Sequence, residues 1–353
     1  MQFKQTMASL LVASFVLVVS PLKNAFAETE KLTMKLANDR VVALELIKPK
    51  NSNMPTFLFL PGVNRGLIAS DDALAALAQH GFGIVAMNFS VQPFSVNSLE
   101  KNVRPAFKTK SFNLTELGQE VDALAEQVKK TYQIQNIIPV SISYSSAVSS
   151  TLQNYPLIID VVPMTSSAAV NPQLEAYRAT LKAGEVWNPI FGPGITRSLL
   201  DQSYYSKWGS QVDAMISAFK LDASRRFDMV EGYTVLSRAA EGFQWDASKT
   251  LKTTRRVFML AHDDDSQLLK NQLELVSKML QENANVLAFV VNKSGHVMPA
   301  DQPGAYAAII ATVTTGTMKD ATGIVEFDPG ANKVIVYKAA EAQKYIRNLI
   351  NTL

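Results

Sequence analysis

Ile137 to Ser150 reads IIPVSISYSSAVSS, an apolar run that passes at Val140 into small hydroxyl residues with no glycine among them. Ser141, Ser143, Ser145, Ser146, Ser149 and Ser150 fit a solvated, serine-rich turn. They also fit a strand running into a helix, with a nucleophile at the corner. The flanking sequence has to separate the two readings. Upstream, Asn113 opens a helical pattern with Glu116 three residues on, an N-x-x-E form of the capping box. Leu114, Leu117, Val121, Leu124 and Val128 give that helix a single apolar stripe. Downstream, LIIDVVPM (Leu157 to Met164) reads as a buried strand. The stretch therefore begins as a strand, NIIPVSI, inside an alternation of strands and helices.

The same alternation extends in both directions. KLTMKLANDRVVALELIKP reads as two strands around Asn38-Asp39, TFLFLPG (Thr56 to Gly62) as a buried strand, DDALAALAQHG as a helix stopped by Gly81, and FGIVAMNF as the next strand. RRVFMLA (Arg255 to Ala261), a helix through Leu280, NVLAFVV (Asn285 to Val291) and a helix from about Gly304 complete it. Apolar strands alternating with amphipathic helices predict an α/β fold: a doubly wound, mostly parallel sheet covered on both faces. Residues 168–250 break the rhythm, carry Trp187, Trp208 and Trp245, and are too long for a loop, so they are read as an inserted helical cap. The core then comprises residues 28–167 and 251–316. Residues 317–353 form a tail: a β-hairpin around Pro329-Gly330 and a helix with Ala342, Tyr345, Ile346, Leu349, Ile350 and Leu353 on one face.

The totals narrow the chemistry. With 353 residues, 47% of them apolar and 18% charged, the chain can bury a large core. It contains no cysteine, which excludes disulfides, thiolate metal sites and a thiol nucleophile. Lys4, the apolar run Met7 to Val19 and NAFA ending at Ala27 have the pattern of a signal peptide over residues 1–27, so the expected location is periplasmic or secreted. The apolar run falls short of the roughly 20 residues that span a bilayer, and nothing downstream is long and apolar enough to do so. Cleavage would remove Lys4 and Lys23 from a chain of formal charge +3, leaving a nearly neutral protein without the basic stripe that nucleic-acid binding needs. No G-x-G-x-x-G or G-x-x-x-x-G-K-[ST] follows a strand, so no cofactor is expected. HDDD, from His262, lacks the regularly spaced oxygen ligands of a cation loop, and no metal is expected.

In such a sheet ligands bind beyond the carboxyl ends of the strands. Acyl transfer by serine needs a base, an acid to orient it and two N–H donors for the oxyanion. Of the histidines, His80 lies between a helix and the next strand, at the wrong end of the sheet, and reads as a helix terminus. His262 directly follows a strand, where the aspartates beside it fit an acid's place better. His296, in SGHVMPADQPGAY after the last core strand, lies where a base can reach over the sheet.

These segments together resemble the α/β-hydrolase family. SGHVMPADQPGAYAAII is similar to that family's histidine loop, VFMLAHDDDSQL to its acid loop, TFLFLPGVNRG to its oxyanion loop and IIPVSISYSSAVS to its nucleophile elbow. The resemblance covers about residues 31–315 and implies Ser143 as nucleophile, Asp265 as acid and His296 as base, with the N–H groups of Val63 and Tyr144 binding the oxyanion. Ser141 and Ser145 stand where the family has glycine, and Pro61 where it commonly has histidine. The implied activity is ester hydrolysis of a small-molecule acyl substrate, with amide or peptide hydrolysis, or a non-catalytic binding protein, as alternatives. Asn64 and Arg65 in the oxyanion loop, and Trp187, Phe191 and Trp208 in the cap, are candidates for substrate contact. Cap aromatics equally serve as that segment's own core.

Overall fold

The computed structural model describes residues 29–36, 39–62, 72–92, 95, 112–172, 174–175, 179, 223–249, 254–282, 285–338 and 340–353. Strands β1 (Glu30–Lys35) and β2 (Val41–Ile47) pair antiparallel, turning through Asp39 at φ 63°. Then come β3 (Thr56–Leu60), helix α1 (Asp72–Gln79), β4 (Gly83–Met87), α2 (Leu114–Tyr132), β5 (Ile137–Ile142), α3 (Ser145–Ser149) and β6 (Leu157–Val161). After α4 (Ala223–Ala239) follow β7 (Arg255–Ala261), α5 (Ser266–Gln281), β8 (Val286–Val291), α6 (Met298–Asp301) and α7 (Pro303–Thr315). The chain ends with β9 (Gly323–Asp328), β10 (Lys333–Tyr337) and α8 (Ala340–Ile350).

The ten strands among the described residues form one sheet in the order β1-β2-β4-β3-β5-β6-β7-β8-β9-β10. From β4 to β9 the neighbours are parallel. The chain steps from β3 to β4 in one direction and then crosses back over β3 to place β5 on its other side. That reversal opens a crevice beyond the carboxyl ends of β3 and β5, the kind of place where open α/β sheets bind ligands.

Both faces are covered because side chains alternate along each strand. Phe57 and Phe59 point into a core shared with Leu74 and Leu77 of α1 and with Tyr306, Ile309 and Ile310 of α7. Leu58 and Leu60 point the other way, into a core built with Leu117, Val121, Leu124 and Val128 of α2, the stripe expected from the sequence. Asn113 and Glu116 form the predicted capping box, with Asn113 Oδ1 accepting from Glu116 N at 2.9 Å and Glu116 Oε2 from Asn113 N at 3.0 Å. His80 is exposed at the end of α1, as expected.

The structure differs from the sequence reading at three points outside the site. The hairpin around Pro329-Gly330 is not a separate tail, because β9 pairs parallel with β8 and extends the same sheet. On α8, Ala342 and Ile346 are buried against the α5 side of the core, while Leu353 lies beyond the helix and is 42% exposed. Trp245, grouped by position with the insertion, packs edge-on against Phe258 of β7 with centroids 5.8 Å apart. The described part of the insertion docks through α4, where a Cβ on Gly232 would lie 2.1 Å from the Val91 carbonyl oxygen. Only glycine lets the helix approach that turn so closely.

Candidate active site

Ser143 follows β5 and has φ 54°, a left-handed conformation that costs a residue with a Cβ roughly 1–2 kcal/mol. The turn is held from several sides. Ser143 N donates to Val161 O at 3.0 Å, and Ser143 O accepts from Ser146 N at 3.0 Å and from Ser146 Oγ at 2.6 Å. Val162, beside it at the end of β6, also has positive φ, at 41°, which is unusual for a β-branched residue. Backbone strain of this kind gathers where the surrounding structure over-determines a turn.

His296 reaches the serine from the loop after β8. Its Nε2 lies 2.9 Å from Ser143 Oγ, and its Nδ1 lies 2.9 Å from Asp264 Oδ2. An ionised carboxylate only accepts, so the Nδ1 proton points to Asp264 and the Nε2 lone pair faces the serine hydroxyl. The loop is fixed on both sides of the imidazole. Gly295 N donates to Asp301 Oδ2 at 2.8 Å, and Asp263 N donates to Ser294 O at 3.0 Å. The Asp264 side chain is 1% exposed and that of His296 17%, so one end of the relay is dry and the other opens to the crevice.

The carboxylate that meets His296 is therefore Asp264 and not Asp265, where it was expected. Asp265 is the N-cap of α5, and its Oδ1 accepts from Gln267 N at 3.0 Å and Leu268 N at 3.1 Å. A carboxylate turned back over the first helical N–H groups cannot also reach across to the histidine. A signal for this was present in the sequence, since an Asp immediately before a helical pattern is a favoured N-cap. His262 pairs with Asp263 at 2.7 Å, exposed and outside the relay.

Ser141, Ser145, Ser146 and Ser149 are fully buried and hydrogen-bonded. Ser145 Oγ accepts from Ile142 N at 2.8 Å and lies 3.0 Å from both Leu60 O and Ile142 O, tying the elbow to the end of β3. Ser146 Oγ also accepts from Met164 N at 2.7 Å. Ser141 Oγ donates to Asp160 Oδ1 at 2.7 Å, Ser149 Oγ bonds the same oxygen, and Asp160 Oδ2 takes Arg256 Nη1 at 2.9 Å. Asp160 and Arg256 are a buried ion pair that the sequence reading missed. Its trace is the aspartate inside LIIDVV and the second of the two arginines that open RRVFMLA. The serines at the two expected glycine positions thus turn their hydroxyls toward strand backbone and the buried carboxylate.

Tyr144, the residue after the serine, sends its side chain into the core, where its hydroxyl donates to Leu236 O of α4 at 2.9 Å. Burial pushes that phenol's pKa well up, so it stays a donor. Gly62, at the end of β3, lies close by: a Cβ there would be 3.7 Å from Ser143 Cβ. Val63, Asn64, Arg65, Trp187, Phe191 and Trp208 lie outside the described residues, as do residues 1–27.

Solved structures share this architecture. The chain is similar to MGS-M2, an α/β hydrolase enzyme from a Medee basin deep-sea metagenome library, with TM-score 0.55 and 14% identity over 81% of this chain and 98% of that one. The chain has the α/β-hydrolase fold. It is equally similar to the serine hydrolase CCSP0084 of the polyaromatic-hydrocarbon-degrading bacterium Cycloclasticus zankles, with TM-score 0.55 and 10% identity over 81% and 97% of the two chains. A structure from work on carboxylesterases of the ammonia-oxidizing thaumarchaeon Nitrososphaera gargenis gives TM-score 0.52 and 14% identity over 83% and 100%. No protein-family model and no curated protein sequence matches the chain.

Proposed function

We propose that the protein is an exported serine hydrolase that cleaves carboxylic esters through an acyl-enzyme. The observation that carries this reading is the unbroken relay from Ser143 Oγ through His296 to Asp264, with the serine on a strained strand-to-helix turn at the sheet's switch point. Ser143 attacks the ester carbonyl while His296 Nε2 takes its proton, and Asp264 holds the imidazole in the tautomer that can accept it. The oxyanion is bound by the backbone N–H of Tyr144 and, by analogy within the fold, that of Val63. The imidazolium returns its proton to the leaving alcohol. Water activated by the same histidine then attacks the acyl-enzyme and frees Ser143. Esters rank ahead of amides because the structural neighbours include proteins described as carboxylesterases and esterases. Export rests on the Lys4, Met7–Val19 and Ala27 pattern.

The test is active-site labelling of the protein recovered from a periplasmic extract, using a fluorophosphonate and reading the N-terminus by mass. Wild type is expected to begin at Glu28 and to be labelled at Ser143, with Ser143→Ala unlabelled. Equal labelling of both proteins removes Ser143 from the mechanism, absence of the protein from the periplasmic extract removes export, and an N-terminus at Met1 removes cleavage after Ala27. Turnover of aminoacyl anilides without turnover of short p-nitrophenyl esters would reverse the substrate order.

A further inference from the structure

We infer that Gln92 is a positioning residue for the oxyanion hole, acting through the carbonyl of Gly62. This rests on the serine-hydrolase reading above. Gln92 lies in the turn after β4, is 1% exposed, and has both ends of its amide engaged. Its Oε1 accepts from Phe89 N at 2.9 Å, its own N–H donates to Phe89 O at 2.8 Å, and its Nε2 donates to Gly62 O at 2.8 Å. The side chain is thus clamped on its own turn and reaches from there to the last described residue of the loop beyond β3.

The target of that bond matters. A trans peptide is planar, with its C=O and N–H on opposite sides. Fixing the Gly62 carbonyl therefore sets which way the N–H of the same peptide points, and that N–H is the oxyanion donor assigned to the loop. Gly62 has no Cβ to limit its own rotation, so an external hold on its carbonyl is what removes the alternative orientation. Stabilisation of an oxyanion depends on donors being in place before charge develops, because a donor that must reorganise gives back part of its contribution. In this role Gln92 acts through the Gly62 peptide and not on the reacting atoms. Its effect falls on the chemical step, through the direction of one peptide.

The same turn meets the insertion, since the Val91 carbonyl lies where a Cβ on Gly232 of α4 would sit.

The experiment measures the second-order rate of fluorophosphonate labelling and the kcat for a p-nitrophenyl ester, for wild type, Gln92→Ala and Gln92→Glu. Gln92→Ala is expected to lower kcat and the labelling rate about 10- to 100-fold with little change in KM, a fraction of the roughly 10²–10³ lost when an oxyanion donor is removed outright. Gln92→Glu supplies the readout that a purely structural role leaves still. A protonated carboxyl can donate to Gly62 O while accepting from Phe89 N, whereas the carboxylate cannot donate. The ratio of its rate to that of wild type should therefore rise as pH falls, and burial places that rise above the ordinary carboxylate range. If Gln92→Ala fails to fold, this ratio alone decides. A ratio that stays flat from pH 5 to 8 overturns the inference, as does a folded Gln92→Ala with wild-type kcat. Either result leaves the nucleophile standing so long as wild type is labelled and Ser143→Ala is not. Labelling that ignores Ser143 instead overturns the hydrolase reading, and this inference with it.

Discussion

Replacing the adjacent aspartates one at a time should separate activity from stability. Asp264 Oδ2 is 2.9 Å from His296 Nδ1 and its side chain is 1% exposed. In Asp264→Asn the amide can turn its NH2 toward Nδ1, which forces the ring proton onto Nε2, the atom that must accept from Ser143. The wrong tautomer in a comparable triad lowers kcat by about 10⁴, equivalent to roughly 5.4 kcal/mol of transition-state stabilisation. The same order is expected here, with little change in melting temperature because the amide is isosteric. Asp265→Ala should do the reverse. It removes the acceptor for Gln267 N and Leu268 N, a cap worth about 0.5–2 kcal/mol, or about 2 °C in a chain of this size. Asp265→Asn, which can still cap, should resemble wild type. The assay is ester kcat beside a thermal melt for each variant. The reasoning fails if Asp265→Ala loses activity while melting normally, or if Asp264→Asn stays within tenfold of wild-type kcat.

Two further outcomes concern the ground beneath the nucleophile. Ser145→Gly, which restores the residue the family resemblance expects, should destabilise by about 1–3 kcal/mol in urea unfolding, because the buried Ile142 N–H loses its acceptor. Arg256→Met should cost about 3–5 kcal/mol by leaving Asp160 charged and buried, and the further change Asp160→Asn should recover part of that loss.

The strands, the capped helix α2 and the placement of Ser143 and His296 at strand ends were legible because each is written in local pattern: apolar runs, an N-x-x-E cap, a strand breaking into small residues. What escaped was set by direction. Asp263, Asp264 and Asp265 are chemically identical in a row, and only the start of α5 decides which carboxylate caps and which is left to meet His296. Trp245 was assigned by sequence distance, but contact with Phe258 and Arg256 places it in the core. The tail hairpin carried no sign of joining the sheet, because β8–β9 pairing is a non-local contact between two ordinary apolar strands.

The serines of Ile137–Ser150 answer a physical question about the elbow. Glycine is suited to such corners because it lets backbones approach and adopts positive φ without penalty. Here Ser143 itself takes the positive φ, and the residues two before and two after it replace close backbone packing with hydrogen bonds: Ser141 to Asp160 on β6, and Ser145 to Leu60 O on β3. Those bonds hold the turn only while their partners are fixed, and Asp160 is fixed by Arg256 of β7. The geometry of Ser143 is thereby tied to a charge pair reaching two strands away. A glycine elbow has no such dependence, so loss of Arg256 should disturb Ser143 as well as the fold, and restoring glycine at one position alone should not restore an ordinary elbow.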